Sequence, residues 1–256
     1  MQPKTGEITD KWKAEGSSVE DHRSIFAPPS RDGKAIMILS GGMDSVTLLY
    51  YLRTLGVNIA ALSFNYGQRH SRELECAESI CKNLNIWHSI VTLPIREFLT
   101  GSALTDDRVD VPDGHYAEPT MRATVVPNRN SIMLSVAVGM AVAENAEVVA
   151  AAFHAGDHFI YPDCRPKFAY AYNRALQAAN EGFGNPALHL YVPFINIKKE
   201  DIVTLGCQLG VPYQDTWSCY RGEELHCGKC GTCVERSLAF KDAGVPDPTI
   251  YEVGVG

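Results

Sequence analysis

The sequence predicts an α/β protein built on a doubly wound parallel sheet, with a small C-terminal segment carrying four cysteines. Three observations carry that expectation. Short apolar runs alternate with stretches whose apolar residues recur at helical spacing. The first run, 35–39, passes directly into Ser40-Gly41-Gly42-Met43-Asp44-Ser45, after which Leu48, Leu49, Leu52 and Leu55 return at helical spacing. Near the other end Cys219, Cys227, Cys230 and Cys233 crowd together.

Taken in order, residues 1–33 are polar, lack an apolar period and close on Pro28-Pro29, so they read as a flexible or loosely docked extension with a short helix at 8–14. The main domain spans 34–210. Its strand at 35–39 leads through the glycine turn to a helix ending near Gly56. A second strand covers 58–64 and is followed by Tyr66-Gly67-Gln68-Arg69-His70. Residues 73–84 read as a helix with Leu74, Ala77, Ile80, Cys81 and Leu84 on one face, and 87–93 as a third strand. The polar, turn-rich stretch 94–127 is long enough to be a lid or a partner surface. A buried apolar helix is expected over 128–143 and a fourth strand over 147–153. That strand runs into His154-Ala155-Gly156-Asp157-His158. Helices at 166–180, 199–209 and 234–242 complete the pattern, the last within a metal-binding segment, 211–256. In such sheets ligands bind outside the carboxyl ends of the strands, where the named loops lie.

Composition narrows the function. The 256 residues carry a formal charge of −7, which argues against a sequence-independent grip on nucleic acid. The longest apolar region, 132–153, is broken by Glu144, Asn145 and Glu147, so no membrane span is expected. No secretory h-region is visible, which places the protein in the cytoplasm. There, clustered cysteines read as a metal site and not as a disulfide frame. Four thiolates, two of the gaps being Cys-x-x-Cys, satisfy tetrahedral zinc and leave no open position, so the zinc is structural; His226 would be surplus. Cys76, Cys81, Cys164 and Cys207 read as small buried apolar residues.

The strand, glycine turn and helix aim backbone N–H groups at an anion, with Ser40 and Ser45 as hydroxyl donors and Asp44 as a metal holder or loop-orienting group. No Gly-Lys-Ser/Thr follows, so γ-phosphate transfer is disfavoured. The string Ser-Gly-Gly-x-Asp-Ser after a strand resembles the pyrophosphate loop of the ATP-pyrophosphatase (PP-loop, adenine nucleotide α-hydrolase-like) superfamily. Leu-Ser-Gly-Gly-Met-Asp-Ser at 39–45, Tyr-Gly-Gln-Arg-His at 66–70 and Val-Pro-Asn-Arg-Asn at 126–130 carry a closer likeness. So do Tyr-Pro-Asp-Cys-Arg-Pro at 161–166, Thr-Trp-Ser-Cys-Tyr at 216–220 and Cys-Gly-Lys-Cys-Gly-Thr-Cys. Together they resemble the 7-cyano-7-deazaguanine synthase family over about 35–240.

The resemblance implies an ATP-dependent ligase acting on 7-carboxy-7-deazaguanine and ammonia, with Mg2+ on the triphosphate. The acid is adenylated and aminated, and the amide is adenylated again to give the nitrile. It implies nucleotide contacts by Leu39, Ser40, Gly41, Gly42, Met43, Asp44, Ser45, Ser63, Phe64 and Arg129. Asp44, Ser45, Arg165 and Lys199 are implied as catalytic residues. Tyr66, Gln68, Asn130, His154, Asp157, Tyr161, Asp163 and Arg165 would meet the substrate. Each also has a plainer reading: Arg129, Arg165 and Lys199 as surface ion-pair partners, Asp163 as a helix cap, Phe64 as core and the histidines as structural. Where many members carry Asp-Tyr-Ser-Gly, this chain has Gly156-Asp157-His158-Phe159-Ile160, which turns a titratable ring toward the pocket. Coupling of the acid to another amine, on a protein or nucleic acid, is the alternative, and a zinc-knuckle RNA-binding or nucleotide-sensing protein the second. A homodimer is expected, with 94–127 as its surface.

Overall fold

Among the residues described by the computed structural model (25–69, 71–115 and 119–255), five strands form one parallel sheet. They are β1 (Lys34–Ile38), β2 (Asn58–Asn65), β3 (Trp87–Thr92), β4 (Val148–Ala150) and β5 (His189–Tyr191), in the order β3-β2-β1-β4-β5. The chain winds outward from β1 in both directions, so a crevice opens between the carboxyl ends of β1 and β4.

Both faces are covered. Ile36 and Met37 are fully buried neighbours that point to opposite sides, as strand alternation requires. Ile36 joins a core with α4 (Arg129–Ala143) and α5 (Pro166–Ala179), through Leu134, Ala137, Ala141 and Leu176. Met37 joins one with α1 (Met43–Thr54), α2 (Arg72–Leu84), α6 (Lys199–Leu209) and α7 (Gly231–Asp242), through Leu48, Ile80, Ile202 and Phe240. Helix α3 (Ile95–Phe98) is a single short turn. Among the described residues no helix is long and apolar enough to cross a membrane.

The structure departs from the sequence reading at four places. The strand β5 was not foreseen: three residues, His-Leu-Tyr, are too short to show a period, and only their pairing with Val148, Val149 and Ala150 makes them a strand. Residues 25–33 are not loosely docked. Ile25 is fully buried, its carbonyl accepts from Val192 N at 3.0 Å, and Ser30 Oγ donates to Glu147 Oε1 at 2.6 Å. The expected helix at 8–14 lies outside the described residues. Much of segment 94–127 is packed down. Leu104, Met121 and Val126 enter the first core, Ala103 and Val111 lie against the four cysteines, and Arg69 Nη2 ties down the carbonyls of Asp106 and Val109. Finally, Cys207 is exposed and Cys76 half-buried, although Cys81 and Cys164 are buried as expected.

Candidate active site

The loop between β1 and α1 is held by its neighbours. Gly41 has φ +82°, and a Cβ there would stand 2.0 Å from the Glu73 carbonyl oxygen, so only glycine fits. Its own carbonyl accepts from Trp217 N at 3.0 Å. Within the turn Ser40 Oγ lies 3.0 Å from Ser45 Oγ and accepts from Gly42 N at 3.3 Å. Gly42 is the extended N-cap residue of α1 without a side-chain cap, so the first N–H groups of the helix face the crevice.

The turn forms one edge of a cavity of about 230 Å³, lined also by Leu39, Met43, Phe64, Tyr66, Glu73, Arg129, Asn130, His154, Asp157, Tyr161 and Lys199. Charge is concentrated at its base. Lys199 Nζ lies 3.1 Å from Asp44 Oδ2 and 2.6 Å from Glu235 Oε2. His154 Nε2 stands 3.8 Å from Asp44 Oδ2 and 3.5 Å from Asp157 Oδ1, while its Nδ1 accepts from Gly156 N. Burial works to raise the Asp44 carboxyl, but the charges of Lys199 and His154 override it and hold the group below the ordinary carboxylate range. Burial likewise opposes charge on Lys199, and Asp44 and Glu235 outweigh it, so this ammonium stays charged. Asp44 Oδ1 is buried without a hydrogen-bond partner, as suits a carboxylate oxygen reserved for a cation.

The opposite wall is aromatic. Arg129, opening α4, donates from Nη1 to Tyr66 Oη at 3.0 Å and lies 5.5 Å and 5.8 Å from the Tyr66 and Tyr161 ring centroids. Burial pushes the Tyr66 phenol up to about 12 despite that guanidinium, so it remains neutral. Glu73, in the first turn of α2, is pushed up to about 8 by burial, against the hydrogen bond from Gln68 and the charge of Arg129.

Several residues expected here serve the scaffold around the cavity and do not line it. Ser63 is fully buried, donating to the Leu39 carbonyl at 2.5 Å and meeting His88 Nε2 at 2.7 Å. Gln68 spans its own loop, accepting from Tyr66 N and donating to the Phe64 carbonyl and Glu73 Oε1. Asp163 accepts from Asn130 N at 3.0 Å; it caps α4, not the helix that follows it. Arg165 is exposed, with Nε donating to the His158 carbonyl. The His158 ring does not line the cavity either, and Phe159 is exposed. Conversely, Glu73, Glu235 and Arg236 escaped the sequence reading. Glu73 and Glu235 carry the only available signal, a carboxylate in the first or second turn of a helix at the ligand edge.

Arg236 is fully buried in α7 and donates to the Tyr213 carbonyl at 2.7 Å, Thr216 Oγ1 at 2.8 Å and Thr249 Oγ1 at 2.6 Å. It thereby fixes the segment whose Trp217 N holds Gly41. Beside it the sulfurs of Cys219, Cys227, Cys230 and Cys233, all buried, lie within 4.8 Å of one another. Backbone N–H groups of Lys229 and Cys230 donate to Cys227 Sγ, and Gly228 takes φ +74° to make that turn. This donor set suits a closed tetrahedral metal site. His226 is not part of it: its Nε2 accepts from Ser218 N at 3.1 Å, and burial drops its pKa to about 4.

Comparison with known proteins fits this geometry. Residues 34–244 match the family model described as queuosine biosynthesis protein QueC. The curated relative named 7-cyano-7-deazaguanine synthase from Rhizobium rhizogenes is 54% identical over 86% of this chain and 92% of its own. Its namesake from Brucella anthropi is 52% identical over 86% and 94%. Among solved structures, NMN synthetase from Francisella tularensis aligns with a TM-score of 0.49 at 18% identity, over 84% of this chain and 79% of that one. The motifs that build the cavity therefore sit within a match covering most of the sequence, and the chain belongs to the QueC family of queuosine biosynthesis proteins.

Proposed function

We propose that the chain is an ATP-dependent ligase that converts 7-carboxy-7-deazaguanine and ammonia into 7-cyano-7-deazaguanine, releasing AMP and pyrophosphate. The observation that carries this is the bare N-terminus of α1 behind the Ser40–Ser45 turn, opening into a cavity with cationic Lys199 at its base and Arg129 in its wall. A carboxylate oxygen is a poor leaving group. Adenylation turns it into a mixed carboxylic–phosphoric anhydride from which AMP can leave, and the turn takes up the departing pyrophosphate through Ser40, Gly42, Ser45 and the helix N–H groups. Phe64, Leu39 and Met43 offer apolar surface for the adenine. Arg129 suits the acid's carboxylate, and Tyr66, Asn130, Asp157 and Tyr161 the rest of the deazapurine. Lys199 offsets charge gathering on the α-phosphate.

Asp44, with its unpartnered buried oxygen, would hold Mg2+, which when bound neutralises the triphosphate. The four thiolates would hold one structural Zn2+. The reading includes a cytoplasmic site of action and a homodimer. The shared name of the relatives favours the nitrile over coupling to another amine. Incubation with ATP, ammonia and the deazapurine acid, followed by mass spectrometry, tests it. A cyano product is expected; an amide alone, or a product formed only with a macromolecular amine, contradicts it.

A further inference from the structure

Ammonia is the one reactant for which the residues discussed so far supply nothing. At neutral pH it is mostly ammonium, which has no lone pair and cannot attack an acyl carbon. A site that consumes it must bind the cation and remove a proton beside the adenylated carboxyl. Resting on the function proposed above, we infer that Glu73 is the ammonium-binding group and general base of this enzyme.

The placement is fixed from both sides. The Glu73 backbone presses on Gly41, so the side chain leaves the wall next to the pyrophosphate turn. Its Oε1 accepts from Gln68 Nε2 at 3.1 Å, and Gln68 is itself locked to Tyr66 N and the Phe64 carbonyl. The other carboxylate at this edge, Asp44, is engaged by Lys199. The groups facing Glu73 include the Arg129 guanidinium from α4 and the Tyr66 phenol beyond β2. Arg129 is suited to hold the substrate carboxyl, and Glu73 shares its wall of the cavity. A carboxylate poised at about 8 is matched to taking a proton from ammonium near neutral pH.

The step balances. Ionised Glu73 takes one proton from ammonium, and the freed lone pair attacks the acyl carbon. The C–O bond to the adenylate breaks, AMP leaves with that electron pair, and the second proton lost from nitrogen passes to water. Glu73 returns its proton to water. After the second adenylation the nitrogen loses two protons, one to the ionised Glu73 and one to water, as the C–O bond breaks, AMP leaves with that electron pair and the nitrile forms.

The test compares two nucleophiles in the full-length protein. Hydroxylamine is unprotonated at neutral pH and needs no base to free its lone pair. Glu73→Gln is expected to slow ammonia-dependent amide and nitrile formation by about 100-fold or more, while hydroxamate formation with hydroxylamine stays within a few-fold. Equal losses with both nucleophiles, or no loss with either, would overturn the assignment. If Glu73→Gln does not fold, as judged by circular dichroism, the pH profile of the unaltered protein decides at fixed ammonium concentration. A limb near 8 with ammonium that is absent with hydroxylamine supports the role, and its absence refutes it. Nitrile formed at full rate by Glu73→Gln rejects only this inference, whereas no nitrile from the unaltered protein rejects the function beneath it.

Discussion

At the scale of single residues, the site rests on charges kept ionised in a poorly solvated place. Asp44 is the clearest case, since burial works against its charge and Lys199 and His154 outweigh burial. Asp44→Asn keeps the shape and removes the charge. It is expected to lower acid-dependent exchange of labelled pyrophosphate into ATP by about 10²–10³-fold, the range typical of removing one group that stabilises developing charge. The same variant tests the linkage. A folded-state pKa below the ordinary 3.8 contributes stability that is complete above that value and is lost as pH falls through the lowered one. Acid unfolding of Asp44→Asn is therefore expected to lack that contribution; an unchanged acid transition would contradict the pairing. Local spacing revealed Asp44, Ser45 and the cysteines because their chemistry lies in one short string. Lys199 and Arg129 were credible only through the family likeness. Ser63, Gln68 and Asp163 bond to protein groups and are not among the residues that line the cavity, because a polar residue near a ligand edge serves the scaffold as readily as a ligand. Sequence does not say which way it turns.

At the scale of elements, the strands β1 to β3 and helices α1, α2, α4, α5 and α6 were legible from period and punctuation alone. The strand β5 and the seating of 94–127 were not, because both are set by partners distant in the chain. Leu104, Val111 and Met121 follow no period, yet each is buried. The contact between α7 and the pyrophosphate turn is of this kind as well. Arg236 braces Tyr213 and Thr216, and Trp217 N then holds the Gly41 carbonyl. Arg236→Met fills similar space but leaves those acceptors unpaired in the interior. It is expected to cost roughly 2–4 kcal/mol in chemical denaturation and to raise the KM for ATP, although Arg236 does not itself line the cavity. A variant as stable as the parent with an unchanged KM would show that the brace does not reach the turn.

At the scale of the whole molecule, the sheet supplies a crevice at its switch point and the four-cysteine lobe closes over one side of it. Trp217, Ser218 and Tyr220, which flank Cys219, line the cavity, so the lobe is part of the site. A metal held there would stabilise the fold and the active site together. Elemental analysis is expected to find about one zinc per chain in the parent and none in Cys230→Ser, which is also expected to unfold at lower temperature. Unchanged metal content and melting would remove the structural role.

The central claim is that an oxygen of the substrate attacks the α-phosphorus of ATP once for the acid and once for the amide. Acid carrying ¹⁸O in both carboxyl oxygens tests it by mass spectrometry of the nucleotide products. The account predicts two AMP for each nitrile, each with one ¹⁸O in its phosphate. Label in orthophosphate alongside ADP, or AMP free of label, would contradict it.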